Sequence, residues 1–494
     1  RETDLTYWEE DPEAAVKALN TCYTYLGNMD EQLYCEAMTD NAYTKQPNDA
    51  TQNIGNGSYS TADPYVKKVW DGRYTGIRMC NELLENIDRV PDLDPELKKR
   101  YIGEAKVLRA YNYYELYTKF GDVPYTTKVL SIKESMSIAR TAKATVIANV
   151  LADLDEVING NYLPTSYDAD NKGRITRWAA MAIKAKIYLF EGNWTQVKNI
   201  TSTIMTEGGF KLFGSYAGLF EIANEYNSEV ILDAQYRPTS REHQMMYVFL
   251  PPTLGGYSQL SPLQELVDSY IMLDGKTIKE TGTSFDESHP YANRDPRLKA
   301  TVMYTGNSYT LADGTEVVIN CEKGEGKDGY GVGSDCSATG YYIKKYWDNT
   351  YRATLYSGLN PILIRYADIL LMNAEALAEL GELDKTAWDA TIKPIRDRAG
   401  FTLASALEFP EGASKDKLIE IVRNERRSEL ALEGHRHKDI IRWRIADNVL
   451  NGWCHGLKTN DVVGTDDGYV RVENRTFNAN KHYLWPIPQA ERDL

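Results

Sequence analysis

Six histidines, 71 acidic residues and six cysteines are the raw material for catalysis or metal binding in this chain of 494 residues. Of the histidines (His243, His289, His435, His437, His455 and His482), His435 and His437 stand two apart. That spacing turns them to different faces of a helix and makes a poor metal pair. Asp168, Asp170, Lys172 and Gly173 have the outline of a calcium loop. Its fifth position is Lys172, however, and its twelfth is Ala179 rather than Glu, so the segment reads as a plain turn. There is no GxSxG elbow, no HExxH pair and no P-loop. The cysteines (Cys22, Cys35, Cys80, Cys321, Cys336 and Cys454) lack CxxC spacing, which argues against a zinc or thioredoxin-type site. Cys321 and Cys336 bracket the run GEGKDGYGVGSD and either staple that loop or remain separate thiols. No cofactor and no metal is implied.

Carboxylates remain as candidates. Glycoside hydrolysis needs two of them facing each other across a cleft. The densest acid-bearing segment is NERRSELALEGHRHKDIIRW (424–443), where Glu425, Arg426, Arg427, Glu433, Arg436, Asp439 and Arg442 alternate in sign at helical spacing. Such residues pair along the helix or with arginines elsewhere, including Arg365 and Arg396. Neighbouring arginines hold carboxylates ionised and lower their pKa, the opposite of what a general acid needs. The segment therefore reads as structural. Arg294-Asp295-Pro296-Arg297 likewise reads as a turn pinned by proline and capped by Asp295.

These residues are positioned mainly by helices. Asp11-Pro12 opens a helix running to about Leu26, and others are expected over 64–89, from Pro95 to Tyr117 and from Thr141 to Ile158. Trp178, Ala182, Ala185 and Leu189 form a one-face stripe ending at Gly192. Ile364, Ala367, Leu371, Ala374 and Ala378 repeat that rhythm up to Gly381. Each stripe is followed by a short turn and a further helix (Thr195–Thr206 and Asp384–Ala399), a pattern similar to tetratricopeptide repeats without a strict period. Strands are expected at Glu229–Tyr236, Lys299–Tyr304 and Glu316–Ile319, within an irregular stretch rich in Gly, Pro, Asn, Tyr and Thr. The fold class is thus mainly α: helical repeats over 10–228 and 361–450, a loop-rich cap with short strands over 229–360, and an extended C-terminal segment over 451–494.

Composition narrows the function. The net charge of −15 demotes nucleic-acid binding. No run approaches the roughly 18 to 20 apolar residues that span a bilayer. The sequence opens Arg1-Glu2-Thr3-Asp4, which reads as a processed or truncated N-terminus. Tyrosine is in excess, 35 against 10 Phe and 9 Trp. A tyrosine joins an apolar ring to a polar tip, which suits wet binding surfaces such as those that hold sugars.

Nine strings then carry a resemblance: EAKVLRAYNYYELYTKFGDVPY (104–125), GRITRWAAMAIKAKIYLFEGNW (173–194), LVDSYIMLDGKTI (266–278), NRDPRL (293–298), YIKKYW (342–347), LIRYADILLMNAEALAELGE (363–382), IRDRAG (395–400), the 424–443 segment, and LWPIP (484–488). In this order they resemble the SusD/RagB family of outer-membrane nutrient-binding lipoproteins of Bacteroidota, from about residue 10 to the C-terminus. The resemblance implies one unit over 1–494 that binds a glycan without cleaving it. It implies a surface-exposed place at the outer membrane, a lipidated cysteine upstream of Arg1, and delivery of ligand to a SusC-like TonB-dependent transporter. Alternatives are a peptide ligand, as the RagB branch allows, or a glycoside hydrolase or repeat adaptor. It also implies a site on loops of the early chain and the irregular middle. Candidates by loop chemistry are Asp40, Asn41, Tyr43, Tyr59, Tyr65 and Trp70, then Tyr291, Tyr309, Tyr330, Trp347 and Tyr351. None lies in a strict motif, so none is transferred from the family. Trp70 begins a helical string, where packing is the default role.

Overall fold

The structure, a computed structural model, describes residues 4–45 and 51–494; the side chains of residues 4–6 and of Tyr351 lie outside that description. Its class is mainly α: the longest helix has 26 residues, whereas no strand exceeds 7 among the described residues. Helix starts follow local chemistry. Asp63 accepts from the amides of Tyr65 and Val66 ahead of Pro64–Asn86, and Asp94 accepts from Leu97 ahead of Pro95–Phe120. In both, proline fills the first turn, where a missing N–H costs nothing. Thr176 caps Arg177–Glu191, which ends at Gly192 in the left-handed region (φ 72°). Asn193 then caps Trp194–Glu207.

These helices pack in succession: Pro64–Asn86 on Pro95–Phe120, then Lys143–Asn159, Arg177–Glu191 and Trp194–Glu207. The stack continues onto Tyr366–Glu379 and Lys415–Glu429 after the chain has made an excursion of more than 150 residues (208–365). The two ends of that excursion are tied together. Val230–Asp233 pairs antiparallel with Ile362–Arg365, aligning Val230 with Arg365. Short ladders join the excursion to the early chain, Ala42–Thr44 with Leu260–Pro262, and distant segments within it, Val302–Met303 with Tyr342–Ile343. A second hydrophobic core lies there, around Phe249, Tyr270, Tyr309 and Tyr342, separate from the core of the first helices.

Several expected boundaries move for physical reasons. The helix expected from Asp11-Pro12 to about Leu26 is Ala14–Tyr23, and its start is delayed by a turn in which Asp11 accepts from the Glu13 amide. Ile364 lies in the strand that precedes Tyr366–Glu379. The first half of Lys299–Tyr304 is helix: Asp295 caps Pro296–Thr301, leaving only Val302–Met303 as strand. The segment after Asp384 breaks at Thr391 (φ −126°, ψ −75°), which places Pro394 in the first turn of Ile392–Ala399, where proline is tolerated. Cys321 and Cys336 are buried free thiols, so the Gly-rich loop is not stapled. Cys336 Sγ donates to Lys327 O (3.3 Å) and Tyr330 N donates to Cys321 O (3.1 Å).

The charged motifs meet where the excursion joins the helices. Arg365 reaches Glu229 (2.7 Å), Glu429 (3.1 Å) and Glu433 (2.8 Å), and all four side chains are buried. Arg398 bridges Glu229 and Glu429, while Arg297 holds Glu429 (3.0 Å), Glu425 (2.8 Å) and Asp295 (2.8 Å). Arg396 pairs with Glu425 (3.0 Å), and Arg426 with Asp368 (2.6 Å) and Asp439 (2.8 Å). Burial alone raises the Glu429 carboxyl pKa, but Arg398, Arg365 and Arg297 more than offset that and hold it well below the usual range. Glu433 is lowered in the same way by Arg365 and Lys345 against burial. Their contribution to stability is therefore present above the ordinary carboxylate pKa and is lost as pH falls through the lowered values.

Two outcomes are expected. Arg365→Met leaves three buried glutamates under-compensated and costs about 3–5 kcal/mol in chemical denaturation; a loss below about 1 kcal/mol contradicts the bracing role. In the C-terminal hairpin, where Gly452–Lys458 pairs antiparallel with Tyr469–Arg475, His455 lies between Glu265 (2.7 Å) and Asp466 (2.8 Å), and its hydrogen bond to Glu265 with that to Asp466 raises its pKa to about 9. The clamp is fully present below the ordinary histidine pKa and is lost as pH rises through about 9. Imidazole NMR titration of His455 near pH 6 instead contradicts this.

Candidate functional site

A loop containing two adjacent glycines presents the most exposed group of stacked tyrosines described. Met245–Phe249 buries Met245, Met246 and Phe249, which turns Tyr247 outward. The chain then reverses through Pro251, Pro252 and Gly255 (φ 85°). Gly256 approaches the backbone so closely that a Cβ there would lie 2.0 Å from Leu250 O, so no larger residue fits. The reversal returns Tyr257 beside Tyr247: Tyr257 N donates to Tyr247 O and Gln259 N to Val248 O, both 2.7 Å. The two rings stack with centroids 5.7 Å apart at 23°. Tyr356 meets Tyr247 edge-on at 6.2 Å, carried by a segment bridged to His243 through Ser357. Tyr247 Oη donates to Thr354 O (2.9 Å). Tyr257 is 47% exposed and Tyr356 39%. A stacked pair with an edge-on third ring, held by backbone hydrogen bonds, is a fixed apolar face with hydroxyl tips. It can cover the C–H face of a sugar while its rim accepts hydroxyl hydrogen bonds.

The early chain reaches this surface by a ladder. Tyr43 lies opposite Ser261, and Lys45 N donates to Gln259 O (3.0 Å), two residues from Tyr257. Early and middle segments thus meet, but through few of the residues that loop chemistry singled out. Asp40 is buried against Arg436 (2.8 Å) and Arg427 (3.2 Å), and those arginines outweigh burial and hold its carboxyl well below the usual range. Asn41 is buried, accepting from Arg427 Nε (2.8 Å) and donating to Glu36 (3.0 Å). Tyr59 and Tyr65 are buried against His482 and Trp485. Trp70 is buried between Tyr74 and Phe120, and Tyr309 is fully buried, donating to Ile343 O (2.8 Å). All six are buried, although Tyr65 and Trp70 still form part of the walls of surface clefts. Tyr43, Tyr291, Tyr330 and Trp347 stay partly exposed. Trp347 donates to Thr310 O (2.8 Å), and Tyr291 stacks on Tyr304 at 4.1 Å. The Tyr351 side chain lies outside the described residues. Tyr247, Tyr257 and Tyr356 were missed by sequence reasoning. Their one sequence signal is PPTLGG set between two tyrosines, a proline-led reversal ending on paired glycines.

No group of three or more His, Cys, Asp or Glu suited to a metal occurs among the described residues, and no described helix is long and apolar enough to cross a membrane. A mainly helical scaffold with an aromatic surface on an inserted, loop-rich region defines a class of ligand-holding proteins. Comparison with known proteins gives the family. The SusD family model matches residues 219–494, and a second model, described as starch-binding associating with outer membrane, matches 14–189. The chain belongs to the SusD family. It is 28% identical to SusD-like protein P25 of Formosa agariphila, over 90% of this chain and 88% of that one. A SusD-like carbohydrate binding protein of Bacteroides fragilis superposes with a TM-score of 0.87 at 28% identity, covering 99% of both chains. Another SusD-like protein of that species gives 0.84 at 28%, covering 99% and 96%.

Packing and surface aromatics are separable by stability. Trp70→Ala is expected to cost about 3–5 kcal/mol, whereas Tyr257→Ala stays within about 0.5 kcal/mol. Equal losses in urea denaturation contradict the assignment.

Proposed function

We propose that this protein is a non-catalytic glycan-binding protein of the outer cell surface. It holds oligosaccharide or polysaccharide chains on the Tyr247–Tyr257–Tyr356 surface and delivers them to a SusC-like TonB-dependent transporter. The observation that carries the reading is the exposed tyrosine stack, fixed by backbone hydrogen bonds on both sides of the Gly255-Gly256 reversal. Pre-set rings bind without the cost of ordering them. The carbohydrate-binding description of the Bacteroides fragilis relative supports the ligand class. The outer-membrane description of the N-terminal family model supports the location, and family membership supports the transporter as partner. A surface lipoprotein is the form of attachment that fits both. A binding role without cleavage is favoured because Glu425, Glu429, Glu433, Asp439 and Asp368, the acids of the sharpest motifs, are buried in arginine and lysine pairs. Against the effect of burial, arginine and lysine partners lower the pKa of Glu429, Glu433, Asp439 and Asp368 and hold them ionised, and an ionised carboxylate cannot protonate a leaving group.

A panel of neutral and acidic oligosaccharides and of peptides, read by calorimetry, tests the reading. Binding to at least one glycan is expected, weakened about tenfold or more (on the order of 1.4 kcal/mol) by Tyr257→Ala with Tyr356→Ala. Binding to peptides alone, or release of shortened sugar during incubation, contradicts it.

A further inference from the structure

A cleft of about 820 Å³ lies between the inserted region and the C-terminal hairpin, and it shares no residue with the tyrosine surface. Its volume falls within the range of roughly 300–1,000 Å³ typical of small-molecule sites. Its walls come from four segments: Gln264–Asp268, 285–294, 320–325 and 457–461, with Tyr341 and Tyr469 behind them. The aromatic wall is built before any ligand arrives. Tyr291 stacks on Tyr304 at 4.1 Å and 18°, its hydroxyl lies 3.1 Å from that of Tyr341, and Tyr341 Oη donates to Gln264 Oε1 (2.6 Å). The hairpin wall is pinned by Lys458 on Glu287 (2.7 Å), by Tyr469 Oη donating to Glu287 (3.1 Å), and by the Lys323–Asp461 ion pair.

Charge decides the ligand class. The lining carries five carboxylates (Asp268, Glu287, Glu322, Glu325 and Asp461) against Arg294, Lys323 and Lys458. Both lysines already face acids, and Arg294 donates to the carbonyls of Val267, Tyr270 and Pro290. Asp268 accepts from Gln264 Nε2 (2.8 Å), while Glu322 and Glu325 make no ion pair among the described residues and face solvent. The cleft therefore offers surplus acceptors beside aromatic rings and has no cation left for an anionic group. Acceptors of this kind take hydroxyl donors and repel carboxylate or sulfate.

We infer that this cleft is a second ligand site, separate from the tyrosine surface, which takes an uncharged, hydroxyl-rich sugar unit and rejects uronate- and sulfate-bearing ones. It rests on the glycan reading for the nature of the ligand but not for its location. Two sites on one chain would let a single polymer engage both, so that the second contact forms at high effective concentration.

The test uses the whole chain and the neutral oligosaccharide bound best on the panel. The Tyr257→Ala/Tyr356→Ala variant is expected to keep a weaker site with a stoichiometry near one, and adding Glu322→Lys/Glu325→Lys is expected to remove it. Those two glutamates are exposed, so their replacement leaves the fold intact, as the melting temperature will show. With the same four substitutions, binding of a matched uronate oligosaccharide is expected to rise severalfold. Loss of all binding in the tyrosine variant alone overturns the second site and leaves the glycan function standing. Residual binding indifferent to the lysine substitutions also overturns it. If the unaltered protein binds no sugar on the panel, the glycan function and the second site fail together.

Discussion

Three arginines and the glutamates they share hold this fold at its weakest topological point. A helical stack that is interrupted by more than 150 residues must bring its two halves back together, and loop closure of that length is entropically unfavourable. Arg365 stands at the last position of the strand that ends the excursion, opposite Val230 and next to Glu229 at its start. It also grips Glu429, the last residue of the helix that the returning chain packs against, and Glu433 just beyond it. Arg398 and Arg297 close the same set from two further segments. Buried ions add little net stability compared with an apolar core, because desolvation offsets much of their attraction. What such a set supplies is specificity: five segments must arrive together, since any one missing leaves a buried charge short of a partner.

That junction explains why the same acids cannot do chemistry. Glu429 and Glu433 are fixed as anions by arginines, with both oxygens of each engaged. Chemistry at the surface is left to groups outside the network. There the backbone is less regular, with Gly255, Ser258 and Leu355 all at positive φ around the tyrosines. Leu355 is buried, so its unusual backbone geometry is held by packing rather than by solvent freedom. The exposed rings thus sit on a rigid support, which is the condition for binding without an ordering cost.

Much of the scaffold was legible because it is local. Asp-Pro pairs at 63–64 and 94–95, Thr176 and Gly192 mark helix ends through caps that act within three residues. The ionic role of 424–443 was legible because alternating charges at helical spacing have few other readings. The exposed tyrosine surface was not, since nothing in the periodicity says which tyrosines of an irregular loop point outward. Tyr59, Tyr65 and Trp70 sit near the early loop but are covered by Trp485, His482 and Phe120, two of them more than 400 residues distant. Tyr247 and Tyr356 meet across a bridge between His243 and Ser357, a contact separated by more than 100 residues. Such contacts are set by tertiary packing, not by neighbours in the chain.

The central claim is that the Tyr247–Tyr257–Tyr356 surface holds a glycan. A crystal structure of the protein with a bound neutral oligosaccharide tests it most directly. Sugar rings are expected on Tyr257 and Tyr356 within about 4 Å, the range of apolar contact. Sugar found elsewhere on the molecule, with these tyrosines still facing solvent, would contradict it.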